Sequence, residues 1–64
     1  MNNVMTKEQF RDWRLARQWT QRRVADWLGI TITSVASWER GRRTVPGPVA
    51  RLIELDQRLE TRTT

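Results

Sequence analysis

Apolar residues recur along the chain at intervals of three and four, and threonine, glycine or proline separates one group from the next. This spacing is typical of amphipathic helices, whereas a half-buried strand would alternate at every second residue. A first helix is predicted over residues 7–18, because Thr6 and Gln9 have the spacing of a capping box. Its predicted inward-facing residues are Phe10, either Trp13 or Arg14, and Leu15.

Two short helices follow, with only about two residues between them. The second is predicted over Gln21–Leu28, after the N-cap candidate Thr20, and the third over residues 31–40. Gly29 and Gly41 are placed to end them. Their predicted inward-facing residues are Val24, Ala25, Leu28, Val35 and Trp38. Such a short connection forces two helices to cross sharply, as in a helix-turn-helix, and would offer the third helix to the major groove of DNA.

A fourth helix is predicted to begin at Pro48, since proline is favoured at the first helical position. Its predicted core positions are Val49, Leu52 and Ile53. Leu55 and Leu59 add apolar positions beside them, which suit either a two-fold contact with a second copy of the chain or a cap on the core of one copy.

The four tryptophans are interpreted first as packing residues. Trp19 and Trp38 fall on the core pattern, and two large rings would supply much of the core of so small a protein. Trp13 and Trp27 are predicted at the rim of the core or in a self-association surface.

A chain of 64 residues has room for one domain, which we expect to span residues 1–64 with a core from about 6 to 60. The predicted fold class is all-α, a compact four-helix domain. Cysteine and histidine are both absent, which excludes disulfides and removes the usual metal ligands and the usual near-neutral general base. We therefore expect no metal, no cofactor, no small-molecule ligand and no enzymatic activity.

The net charge of +5 lies within residues 1–44, because residues 45–64 contain three basic and three acidic residues. Every cation except Lys7 is an arginine, and arginine suits bidentate recognition of phosphates and bases. A basic surface on a tiny domain suggests a polyanionic partner, although a merely solvated surface fits the charge alone equally well. No apolar run is long enough for a signal peptide or a membrane span, so we expect a cytoplasmic protein without a membrane partner.

The order of residues resembles the Cro and phage-repressor (Xre) family of helix-turn-helix proteins. The resemblance rests on RLARQWTQ at residues 14–21, VA at 24–25, LGI at 28–30 and VASWERGRR at 35–43, and it covers about residues 7–59. The short length and the QRR start of the second helix also look like small phage autoregulators, including those associated with anti-CRISPR operons. The resemblance implies binding to double-stranded DNA in a bacterial or phage-infected cell.

The resemblance also implies roles for single residues. Gln21 matches a glutamine that contacts a phosphate and braces the recognition helix. The residues that match the exposed face of that helix are Thr31, Ile32, Thr33, Ser34 and Ser37. The arginines expected to grip the DNA backbone are Arg22, Arg23, Arg40, Arg42 and Arg43. Arg14 and Glu39 match a pair that forms a semi-buried structural salt bridge.

Two functions remain open at this point. The first is a dimeric repressor of its own operon that reads an inverted repeat, with Leu55 and Leu59 in the dimer interface. The second is a protein-interaction module, such as an antitoxin-like partner, for which DNA binding is secondary. Serine and threonine replace the glutamine, asparagine or arginine more common on a recognition helix, so base readout is expected to depend partly on DNA shape and water.

Overall fold

In a computed structural model, which describes residues 5–62 of the chain, four α-helices account for most of the backbone. They are α1 (Lys7–Ala16), α2 (Gln21–Leu28), α3 (Ile32–Arg40) and α4 (Gly47–Arg62), and no strand occurs in the described part. The predicted all-α four-helix fold is confirmed.

Threonines start the first three helices, as the sequence predicts. Thr6, Thr20 and Thr31 each accept a hydrogen bond from the backbone N–H three residues on, which satisfies a donor that the helix itself leaves free. Gly29 and Gly41 end α2 and α3 with φ angles of 72° and 79°. Because a Cβ is strained in this left-handed conformation, glycine is the residue that suits both positions.

Two predicted boundaries differ from the structure. Helix α1 ends at Ala16 and not at residue 18, because Gln18 adopts a left-handed conformation with φ of 60°. The turn is closed by a hydrogen bond of 3.2 Å from the Trp19 N–H to the Arg14 carbonyl. Helix α4 begins at Gly47, one residue before the predicted Pro48.

One core joins the four helices and the loop before α4. Its buried residues are Phe10, Trp13, Val24, Ala25, Val35, Trp38, Val45, Ala50 and Ile53. The expectation that Leu15 and Leu52 face inward is wrong, since their exposed fractions are 51% and 44%. Trp13 belongs to the core and not to its rim, because it is only 4% exposed.

Polar contacts tie α1 to α4 beside this core. The Asp56 carboxylate accepts hydrogen bonds of 3.0 Å from the Trp13 indole N–H and from Arg17 Nε, and it forms an ion pair with Arg17. Burial acts to raise the pKa of Asp56, but the hydrogen bonds from Arg17 and Trp13 and the charge of Arg17 leave that pKa below its ordinary value. Asp56 therefore stays ionised and holds α4 in one rotational setting against α1.

Candidate nucleic-acid interface

Helix α3 has one face in the core and one face in solvent. Val35 and Trp38 are buried. With 3.6 residues per turn, the side opposite to them carries Thr33, Ser37 and Arg40. Thr33 and Arg40 are exposed and Ser37 is partly exposed, so this side is open to a partner.

The hydroxyl groups of α3 fall into two sets. Thr31 and Ser34 bond to each other through their hydroxyl oxygens at 3.0 Å, and Thr31 also caps the helix. Within residues 5–62, the hydroxyls of Thr33 and Ser37 have no side-chain partner. Thr33 and Ser37 therefore keep their hydrogen-bonding capacity for an external group, whereas Thr31 and Ser34 use part of theirs at the helix start.

Ile32 lies at the first position of α3 and is 46% exposed. Its apolar side chain is therefore available at the surface. The partly exposed Ala36 lies on the same side, next to Thr33 and Ser37. Sequence reasoning missed Ala36 because a methyl side chain carries no chemistry, yet its small size leaves room for close approach of another surface.

A partly buried polar cluster holds α3 against α1 and α2. Arg14 Nε and Nη2 donate to the two oxygens of Glu39 at 2.6 and 3.0 Å, and Arg14 Nη1 donates to the Trp19 carbonyl at 2.9 Å. Gln21 Nε2 donates to Glu39 at 3.2 Å. Arg14 thus forms the salt bridge that the resemblance implies, and Gln21 makes the bracing contact. The cluster fixes the orientation of α3 relative to the start of α2.

Cations occur at the start of α2, at the end of α3 and in the loop that follows α3. They are exposed, and none of them forms an ion pair within residues 5–62; they are Arg22, Arg23, Arg40, Arg42 and Arg43. The guanidinium of Arg23 lies 5.2 Å from the ring centre of Trp19, a cation–π contact that restricts its motion. The N–H groups of Arg42 and Arg43 donate to the Ser37 carbonyl at 3.0 and 3.4 Å, which fixes the loop against the end of α3.

Comparison with protein families gives one match, a family model described as a helix-turn-helix domain, over residues 8–62. The chain belongs to the helix-turn-helix domain family. This membership agrees with the resemblance to Cro and Xre proteins and indicates a DNA-binding regulator. No curated protein and no solved structure matches the chain.

Two further observations bear on what this helix-turn-helix domain can do. Helix-turn-helix DNA-binding families are typically non-enzymatic, and the described residues contain no group of acidic, cysteine or histidine residues that could hold a metal ion. None of the helices formed by residues 5–62 is long and apolar enough to cross a membrane.

Proposed function

We propose that the chain is a transcriptional regulator that binds double-stranded DNA sequence-specifically with α3 in the major groove. The observation that carries this proposal is the exposed face of α3, where the unpartnered hydroxyls of Thr33 and Ser37 lie beside Arg40. The major groove admits an α-helix, and serine, threonine and arginine side chains can all bond to base edges there. Because the Arg14–Glu39 pair holds α3 in place, little ordering is required on binding.

In the proposed complex, some residues contact base edges and others contact the phosphates of the DNA backbone. Thr33 and Ser37 bond to base edges, and Ile32 packs on a thymine methyl group. The small Ala36 lets the helix approach the base pairs closely. The residues that bind phosphates, which fixes position on the duplex without carrying sequence information, are Arg22, Arg23, Arg40, Arg42 and Arg43. Single hydroxyls discriminate less than bidentate side chains, so DNA shape contributes to specificity.

Selection of bound duplexes from a random pool tests the proposal, and α3 variants test which residues read bases. Thr33→Ala and Ser37→Ala should each change the preference between the best duplex and its single-base variants by about fivefold, near the lower limit for one base contact. Arg58→Ala is the control, because Arg58 is an exposed residue of α4 outside the proposed DNA interface. The measurement is competition binding with labelled duplexes. Identical rankings for wild type and both α3 variants would contradict the proposed readout.

The finer proposal is a homodimer that represses its own operon in the cytoplasm. Leu52, Leu55 and Leu59 form a stripe along α4, with exposed fractions of 44%, 41% and 61%. Exposed leucines at this helical spacing suit burial against a second copy about a two-fold axis. Two α3 helices related in this way would read half-sites about one helical turn, roughly 34 Å, apart. An inverted repeat at its own promoter would then make repression depend on the abundance of the protein.

Charged replacements in the leucine stripe test the dimer. Leu55→Glu and Leu59→Glu should yield monomers in sedimentation experiments and lower the affinity for a two-half-site duplex by about 100-fold, while affinity for one half-site is kept. Leu15→Glu is the matched control, since Leu15 is an exposed leucine on α1. A wild-type protein that binds the complete duplex as one copy would exclude this dimer.

The exposed leucine stripe also favours a second candidate function. In a protein-interaction module, the same stripe would bind a different protein. Such a module needs no duplex DNA, so its binding would not show the salt dependence that phosphate contacts cause.

A further inference from the structure

A small cleft lies between the start of α1 and the loop that follows α3. Its volume is about 260 Å³, and its lining residues include Lys7 on the α1 side and Arg42 and Arg43 on the loop side. The Lys7 side chain passes directly over Gly41. A Cβ atom added to Gly41 would lie 3.2 Å from Lys7 Cδ and 3.5 Å from Lys7 Nζ. The ammonium group of Lys7 therefore lies beside the residue that precedes Arg42.

The cations of this cleft lack a counter-charge in the described part of the chain. Lys7, Arg42 and Arg43 are exposed, and no ion pair among residues 5–62 includes any of them. Lys7 is also the first residue of α1, where the helix dipole disfavours a cation and favours an anion. In the free protein, the three cations repel one another and the lysine is unfavourably placed in the helix dipole. An anion bound in the cleft would offset both unfavourable interactions.

A phosphate group fits this chemistry. It offers several oxygens to donors on different sides, and arginine and lysine bind it in complementary ways, as a planar fork and as a point charge. The cleft adjoins Ser37 at the end of the exposed face of α3, because the Arg42 and Arg43 N–H groups bond to the Ser37 carbonyl. A duplex that accepts α3 in its major groove would carry its sugar-phosphate backbone along this end of the helix.

We propose that Lys7 is a further DNA-binding residue, which binds a backbone phosphate of its own in the cleft between α1 and the α3–α4 loop, beside the phosphates that Arg42 and Arg43 bind. This proposal rests on the proposed function and adds to it a contact from α1. The proposal also implies a second reason for glycine at position 41, because a larger residue there would displace the Lys7 side chain as well as strain the backbone.

The test compares Lys7→Gln with Arg58→Gln, which removes one exposed cation from the far end of α4. Fluorescence anisotropy with a duplex selected by the wild type would give Kd from 50 to 200 mM salt. Lys7→Gln should reduce the slope of log K against log salt by about 0.9 and lower the affinity about tenfold at 50 mM salt. Arg58→Gln should leave the slope unchanged and the affinity within a factor of two of that of wild type.

Two additional readouts separate a phosphate contact from a structural role. Duplexes with one neutral methylphosphonate at each backbone position in turn should reveal a position that weakens the wild type but not Lys7→Gln. The melting temperature of free Lys7→Gln should equal or exceed that of wild type, because the variant loses an unfavourably placed cation.

The outcomes distinguish this proposal from the proposed function. A wild type that binds duplexes with a steep salt slope, together with a Lys7→Gln slope equal to that of wild type, would overturn the role of Lys7 alone. A Lys7→Gln variant with a lower melting temperature and an unchanged slope would show a structural lysine and would also overturn it. A wild type that ignores duplex DNA at 50 mM salt would remove the proposed function itself before any variant is compared.

Discussion

Replacing Glu39 with leucine is expected to lower the free energy of unfolding by about 3–5 kcal/mol, because it leaves the Arg14 guanidinium partly buried without its counter-charge. The side chains of Arg14 and Glu39 are only 13% and 7% exposed, so water cannot replace the lost carboxylate effectively. A domain of 64 residues has a total stability of roughly 3–10 kcal/mol, so this loss is about a third or more of the total, and the urea midpoint should fall by at least that fraction. Urea denaturation followed by circular dichroism at low temperature is the measurement.

Glu54→Leu is the matched control for this prediction. Glu54 pairs with Arg51 and lies 3.9 Å from Arg58, but its side chain is 42% exposed. Exposed ion pairs contribute at most about 1 kcal/mol, so this variant should stay folded. Replacing both partners in Arg14→Met/Glu39→Leu should recover much of the loss, since a matched apolar pair avoids the unpaired charge. Equal effects of Glu39→Leu and Glu54→Leu would show that the Arg14–Glu39 pair does not hold α3 in place.

The starts and ends of the helices could be predicted from the sequence because capping is local chemistry. A threonine oxygen reaches the N–H three residues on whatever the rest of the chain does, as at Thr20 and Thr31. Glycine at residues 29 and 41 likewise indicated the left-handed ends of α2 and α3. The left-handed Gln18 escaped prediction because glutamine carries no such preference.

The rotational setting of α4 could not be predicted, because apolar residues occur on more than one side of this helix. In α4, Leu52 and Ile53 are equally apolar, and the structure buries only Ile53 completely. What selects that side is Asp56, one turn after Ile53, through its contacts with Trp13 and Arg17. These partners are about 40 residues away in the sequence, so the spacing of apolar residues within α4 does not predict the contacts with them.

The candidate DNA-binding face was predicted in outline, since the resemblance selected Thr33 and Ser37 among the residues of the recognition helix. Ser34 was grouped with them, yet its hydroxyl bonds to Thr31 on another side of α3. Lys7 was not selected, because it belongs to another helix and approaches the basic loop only through its packing on Gly41. Contacts between distant segments are the part of the site that needs the three-dimensional structure.

The affinity of the protein for its preferred duplex is expected to fall by about 500-fold per protomer between 50 and 200 mM salt. Five arginines of α2, α3 and the following loop form no ion pair in the described part of the chain, namely Arg22, Arg23, Arg40, Arg42 and Arg43. Each phosphate that a cation neutralises releases counterions, and five such contacts correspond to a slope of about −4.5 in log K against log salt. A dimer on two half-sites would double this slope, and a Lys7 contact would add about one unit to it for each protomer.

Single arginine variants should divide this salt dependence into its parts. Arg42→Ala and Arg43→Ala should each reduce the slope by about 0.9 and weaken binding to every duplex by a similar factor, because phosphate contacts carry no sequence information. Arg58→Ala, which removes an exposed guanidinium from α4, should leave the slope unchanged. Both loop variants could instead alter the preference among duplexes while the slope stays constant. That result would mean that Arg42 and Arg43 contact base edges, and it would contradict the assignment of base contacts to α3 and phosphate contacts to the loop. A flat salt profile for the wild type would instead favour the protein-interaction module, because apolar burial on the α4 leucine stripe releases no counterions from DNA.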